Sequence, residues 1–139
     1  MKALYTTRAT ANGGRAGRVR SADGVLQLDL AVPKELGGAG GRATNPEQLF
    51  AAGYAACFES AVRHIAQEQK KKLTDASVTA TVGVGPGEQG GFALAVELEV
   101  SVKGLDRAEA QKIVDLAHNV VCPYSNALRG NVEVKVTLR

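Results

Sequence analysis

The sequence predicts an α+β domain in the order βββ-α-ββ-αα-β, with no internal repeat. Three observations carry that prediction. Short β-forming runs punctuated by glycine turns fill the first third. One long stretch with helical period follows "TNPEQ". A pair of well-alternating runs then flanks "PGEQGG", ahead of a second helical stretch and a last alternating run. At 139 residues the chain suits one domain, 1–139, large enough to bury a core.

Taken in order, residues 3 to 11, "ALYTTRATA", carry β-formers without helical period and read as a strand that ends at the turn Asn12-Gly13-Gly14. "RAGRVRS" leads to the turn "ADG" and then to "VLQLDLAVP", where Val25, Leu28, Leu30 and Val32 partly alternate. Together these form an antiparallel three-stranded meander. The segment "GGAGGRAT" at 37–44 is a glycine-rich connection; it lacks the GxxxxGK[ST] spacing of a phosphate loop. The main helix opens with Asn45 as N-cap, Pro46 at N1 and Gln48 at N3, a capping-box-like pair, and runs to about Lys71. Its stripe of Leu49, Gly53, Ala56, Cys57, Ser60, Ala61, His64 and Ile65 is mostly small, permitting close approach by another element. "ASVTATVGVG" and "FALAVELEVSVKG" make a hairpin. Asp106 caps "RAEAQKIVDLAHNVV", Pro123 opens a short helix that Gly130 closes, and "NVEVKVTLR" is the final strand.

Composition narrows the function classes. Hydrophobic residues at 45% and charged residues at 22% are ordinary for a globular protein, and no run approaches the roughly 20 apolar residues of a membrane span. "MKALYTTRAT" has no apolar h-region, so a cytoplasmic location is expected. The net charge of +3 comes partly from Lys70-Lys71-Lys72. With 4% aromatics and no basic stripe among them, a nucleic-acid face is not expected. Two cysteines are too few for a secreted disulfide scaffold; in a reducing compartment they are packing groups or redox participants.

His64 and His118 are the only histidines and neither has a second ligand at useful spacing, so no metal is expected; a hydrolase elbow, G-x-S-x-G, is also missing. Chemistry therefore centres on the thiols. A free cysteine such as Cys57 in "YAACFESA" is most often a small core residue. Cys122 precedes Pro123 at an expected N-cap, where a helix N-terminus favours thiolate. Cys57, inside a helix, needs a cation from elsewhere: Arg15, Arg18, Arg42 or Arg129. Such an arginine needs a carboxylate to fix it, and Glu47 is a plausible partner. Glu47 and Cys57 lie ten positions apart, about 15 Å along a straight helix, so either the helix breaks, for instance at Gly53, or another element or subunit completes the site. The plainer alternatives are a first-turn carboxylate for Glu47 and a solvated turn residue for Arg15.

The blocks "GGRAGR", "ELGGAGGRATNPEQLFAAGYAACF" and "AHNVVCPYSNALRGN" resemble the organic hydroperoxide resistance (Ohr) branch of the Ohr/OsmC family, over nearly the whole chain. The resemblance implies a fold of antiparallel strands around a long central helix, an intertwined homodimer with two sites at the subunit interface, and a thiol peroxidase reducing organic hydroperoxides to alcohols. Carried over by position, Cys57 matches the peroxidatic cysteine and Cys122 the resolving one. Arg15 matches the activating arginine, with Arg18 three residues away as the alternative, and Glu47 the carboxylate that holds it. It also implies no bound cofactor and a dithiol reductant, dihydrolipoamide or a lipoylated protein. Phe50, Phe58 and Tyr124 are candidate pocket residues that also suit a core. Two other readings are an OsmC-like relative with another substrate range and a non-catalytic ligand-binding member of the fold.

Overall fold

A computed structural model describes all residues, 1–139, and divides into two compact units, Met1–Leu49 and Phe50–Arg139. In the first, strands β1 (Ala9–Asn12), β2 (Arg18–Ser21) and β3 (Gln27–Asp29) form the expected antiparallel meander. The strands are shorter than their sequence runs. Residues 1–8 are not in a strand, and the run after β3 contributes only a Leu30–Thr44 bridge. One face carries Arg18, Arg20, Gln27 and Asp29, and the other offers only small or isolated apolar residues such as Val19 and Leu28, which leaves little apolar surface to extend the pairing.

Helix α1 (Pro46–Glu68) starts as expected. Asn45 Oδ1 accepts from the Gln48 backbone N–H at 2.8 Å. The Gln48 side chain does not reach back to Asn45; its Oε1 accepts from the Thr44 hydroxyl at 2.8 Å. The helix ends at Glu68, short of Lys71, because Lys70 adopts a left-handed φ of 54° and the Lys71 N–H closes on the Ala66 carbonyl at 2.8 Å, a Schellman-type stop without glycine. The helix does not break at Gly53.

In the second unit β4 (Asp75–Pro86) and β5 (Phe92–Lys103) pair antiparallel over their full length, and β6 (Val134–Leu138) joins the other side of β5. The β5–β6 pair is parallel, a departure from the all-antiparallel expectation. It follows from the connection: the two helices between these strands carry the chain back to the starting end of β5 before β6 begins. Tyr54, Phe58, Val62 and Ile65 of α1 pack with Val96, Leu98 and Val100 of β5 and with Ala110, Ile113 and Val114 of helix α2 (Arg107–Leu116) in one buried cluster. Each large side chain fully withdrawn from water there contributes roughly 1.5–3 kcal/mol. The outer face of the sheet carries charge pairs instead, Lys135 with Glu97 at 2.6 Å and Arg139 with Glu99.

Asp106 caps α2, accepting from the Glu109 N–H at 2.8 Å. The sequence run to Val121 is not one helix, however. After Leu116 the chain widens into a π-helical turn, Ala117–Val121, closed by the Cys122 N–H on the Ala117 carbonyl at 2.9 Å. Helix α3 (Pro123–Leu128) follows, and its side chains satisfy the carbonyls freed by the wider turn: Asn126 Nδ2 donates to Val120 O and Arg129, just past the helix, to His118 O, each at 2.8 Å.

Candidate active site

Arg15 sits in a single 3-10 turn, Gly14–Ala16, that bulges between β1 and β2. The turn is pinched shut: a Cβ on Gly17 would fall 1.8 Å from the Asn12 carbonyl oxygen, and Gly13 takes φ 78°. Only glycines allow the chain to fold back so tightly and push Arg15 out at the tip. There its guanidinium grips Glu47, in the first turn of α1, through two parallel hydrogen bonds of 2.8 and 2.6 Å. The Glu47 side chain is 14% exposed and that of Arg15 42%. The pair keeps the Glu47 carboxyl below, and the Arg15 guanidinium above, their ordinary values, chiefly through that hydrogen bonding. Arg18 has a different partner, Asp29, at 3.0 Å. Arg42 is exposed, and Arg129 is held by the His118 carbonyl and by Asn126 Oδ1 at 2.9 Å.

The two cysteines meet within the second unit. Cys57 and Cys122, 65 positions apart, place their sulfurs 3.6 Å from one another as free thiols. Cys122 is fully buried and Cys57 partly so. Burial pushes the Cys57 thiol up to about 11. The backbone N–H of Tyr124, which donates to it, pulls it down, and the adjacent Cys122 sulfur adds to the rise. Cys122 is the N-cap of α3, a helix of only six residues, and makes no side-chain capping bond.

What brings α1 and α3 together is a close contact at Gly53. A Cβ there would lie 3.0 Å from the Tyr124 hydroxyl, so the glycine that could have broken the helix instead makes room for a ring. Tyr124 packs against Phe50 and Tyr54, with ring centroids 6.2 and 5.7 Å away. Of the three aromatic candidates, Phe58 is entirely in the core, Phe50 is partly buried at its edge and Tyr124 is 40% exposed. Two buried polar groups escaped sequence reasoning. The Tyr54 hydroxyl and Ser125 Oγ bond at 2.8 Å beside the sulfurs, and His118 Nδ1 lies 3.3 Å from the same Ser125 oxygen. The only sequence signal was their regular offset: Tyr54 stands three before Cys57, Ser125 three after Cys122. No three His, Cys, Asp or Glu side chains converge as ligands for an ion. Three surface hollows of about 480, 570 and 500 Å³, lined mainly by β1–β3, by β4–β6 and by residues 5–8 with 22–23, include neither cysteine.

Two free thiols in contact across a helix pair, on an α+β scaffold, define a protein with a paired-thiol site. Residues 38–137 match the family described as OsmC-like protein. The chain is 56% identical over 138 residues to an organic hydroperoxide resistance protein of Xanthomonas axonopodis pv. citri (strain 306), covering 99% of this chain and 96% of the other. Among solved structures, an organic hydroperoxide resistance protein OsmC from Legionella pneumophila superposes with TM-score 0.94 at 59% identity, covering 99% of this chain and 98% of that one. A putative organic hydroperoxide resistance protein from Vibrio cholerae, with captopril bound in one of its active sites, also gives 0.94, at 54% identity and 99% and 94% coverage. The chain belongs to the OsmC-like family, in its organic hydroperoxide resistance branch.

Proposed function

We propose that this protein is a cysteine-based peroxidase that reduces organic hydroperoxides to alcohols and so confers resistance to them. The observation that carries the reading is the 3.6 Å approach of two free thiols, one partly accessible and one buried behind it. The Cys57 thiolate attacks one peroxide oxygen; the O–O bond breaks, the alkoxide takes a proton and departs as alcohol, and Cys57 is left as a sulfenic acid. Cys122 sulfur then attacks Cys57, the S–O bond breaks, hydroxide leaves with the Cys122 proton as water, and a Cys57–Cys122 disulfide forms. A lipoyl dithiol, as dihydrolipoamide or on a lipoylated protein, restores both thiols by exchange, becoming the disulfide itself. No bound cofactor is required.

Within Phe50–Arg139 no cation favours the Cys57 thiolate, and a thiol at about 11 is ionised to only about one part in ten thousand at pH 7. The activating charge is assigned to Arg15, oriented by Glu47 and able to hydrogen-bond the peroxide as charge moves to the leaving oxygen. α1 is unbroken over the ten residues from Glu47 to Cys57, about 15 Å of helix, so a homodimer supplies the Arg15–Glu47 pair of one subunit to the cysteines of the other. Residues 1–139 are then one functional domain. Phe50 and Tyr124, with Phe58 behind them, offer apolar surface for alkyl and fatty-acid chains. No helix is long and apolar enough to cross a membrane; we place the enzyme in the cytoplasm, with no nucleic-acid or membrane partner. The high Cys57 value favours a second reading, a member of the fold with inert thiols.

Thiol titration separates them. One equivalent of tert-butyl hydroperoxide removes both thiols of the wild type. Cys57→Ser keeps its remaining thiol and does not turn over. Cys122→Ser consumes one peroxide and then stalls or advances to sulfinic acid. Survival of both wild-type thiols would establish the inert reading.

A further inference from the structure

Tyr54 and Ser125 are fully buried, and neither is used in the chemistry described above. A phenylalanine at 54 would fill the same space without a hydroxyl to desolvate, so the hydroxyl needs an explanation in what it holds. It bonds Ser125 Oγ at 2.8 Å, linking α1 to α3. The sulfur contact links the same two helices at 3.6 Å. Tyr54 precedes Cys57 by three residues and Ser125 follows Cys122 by three, so the two links are neighbouring rungs of one antiparallel helix crossing, about 4.5 Å apart along α1. Ser125 Oγ is approached in turn by His118 Nδ1 at 3.3 Å, from the π-helical turn that leads directly into Cys122. The segment bearing Cys122 is thus held on both sides through a single serine oxygen.

For the disulfide to form, the sulfurs must close from 3.6 Å to about 2.05 Å with a narrow range of torsion. α3 is too short, at six residues, to keep its own register against α1. We propose that Tyr54 and Ser125, steadied by His118, are positioning residues for the resolving step: their hydrogen bond keeps Cys122 aligned on Cys57 while sulfenic acid and thiol condense to disulfide and water. This rests on the peroxidase reading above, but its equilibrium consequence does not. A clamp that raises the effective concentration of Cys122 at Cys57 also stabilises the disulfide against any dithiol.

The test uses the full chain with Tyr54→Phe, Ser125→Ala and the double variant. In single turnover with tert-butyl hydroperoxide, Tyr54→Phe should form sulfenic acid at the wild-type rate, read by dimedone trapping. Disulfide formation should slow about tenfold, the scale of one lost buried hydrogen bond, with more Cys57 reaching sulfinic acid by mass spectrometry. In a dihydrolipoamide/lipoamide redox buffer its disulfide should be about tenfold easier to reduce, a shift of about 30 mV. Ser125→Ala should match it, and the double variant should be no worse than either, as expected of one shared interaction. A Tyr54→Phe protein with wild-type resolution rate and potential would overturn the clamp. So would full additivity in the double variant. If the wild type ignores peroxide, the peroxidase reading fails, and the redox-buffer measurement still decides the clamp.

Discussion

Arg15 and Cys57 pose the sharpest question about a single residue. Burial holds the Cys57 thiol at about 11, and only the Tyr124 backbone N–H opposes it from within the second unit. If Arg15 supplies the missing charge, Arg15→Ala should cut the reaction with peroxide at pH 7 by at least tenfold. Its rate should keep climbing with pH toward about 11, while the wild-type rate levels off well below that. Arg18→Ala should behave as wild type, since Arg18 is paired with Asp29 and not with Glu47. Stopped-flow rates across pH check this, and the reverse ranking would transfer the role to Arg18. Arg15→Lys should recover little, because a lysine cannot reproduce the two parallel bonds to Glu47.

Among the elements, the pair α1 and α3 matters most, and Gly53 is where they touch. Gly53→Ala removes a helix-interior glycine, favourable by about 1 kcal/mol, and sets a Cβ 3.0 Å from the hydroxyl end of a Tyr124 ring that is 40% exposed and able to swing outward. The melting temperature should therefore hold or rise while disulfide formation slows, because the Tyr124 backbone N–H that meets Cys57 moves with its helix. Calorimetry and single-turnover kinetics read the two effects; a fall of several degrees would mean the ring is locked in place. These elements also show what could be read in advance. The caps of α1 and α2 were legible because Asn45 and Asp106 act through bonds three residues away. The Arg15 turn was legible as glycines, but its self-closure on Asn12 was not, because close backbone approach leaves no mark beyond the glycine itself. The π-helical turn was hidden since its apolar residues keep a helical period, and the carbonyls it frees are met by Asn126 and Arg129 from the next helix. The Tyr54–Ser125 bond, like the sulfur contact, joins residues far apart in sequence, which local pattern does not encode.

For the whole molecule the first consequence of the proposed homodimer is a division of labour between subunits. A mixed dimer of one Arg15→Ala chain and one Cys57→Ser chain retains a single complete site if the arginine serves the partner's cysteine, and none if it serves its own. Co-purified mixed dimers should show about half the wild-type turnover; no recovery would place both groups in one subunit. The second consequence concerns acid. His118 is lowered from its ordinary 6.5 by burial and then by Arg129, against a smaller pull from Asp115, and Glu47 is lowered from 4.5 by Arg15. Both bind protons more readily when unfolded, so their contribution to stability is complete above those values and is lost as pH falls, His118 giving way below about 6.5 and Glu47 below about 4.5. Urea midpoints should decline in that order between pH 7 and pH 4, and His118→Gln should flatten the upper part of the slope.

The parallel β5–β6 pair carries a further meaning when the chain is considered in time. β6 is made after β5, and its place beside that strand is reached only after a crossover of two helices. Until Val134–Leu138 has emerged and docked, the central strand of the sheet presents a bare hydrogen-bonding edge with Val96, Leu98 and Val100 still partly uncovered. Closure of this non-local pairing is the slow event expected in folding, and it follows synthesis of both cysteines. A nascent chain therefore carries its thiols for a time without the finished sheet behind them, and during that interval is most exposed to misassociation with its neighbours.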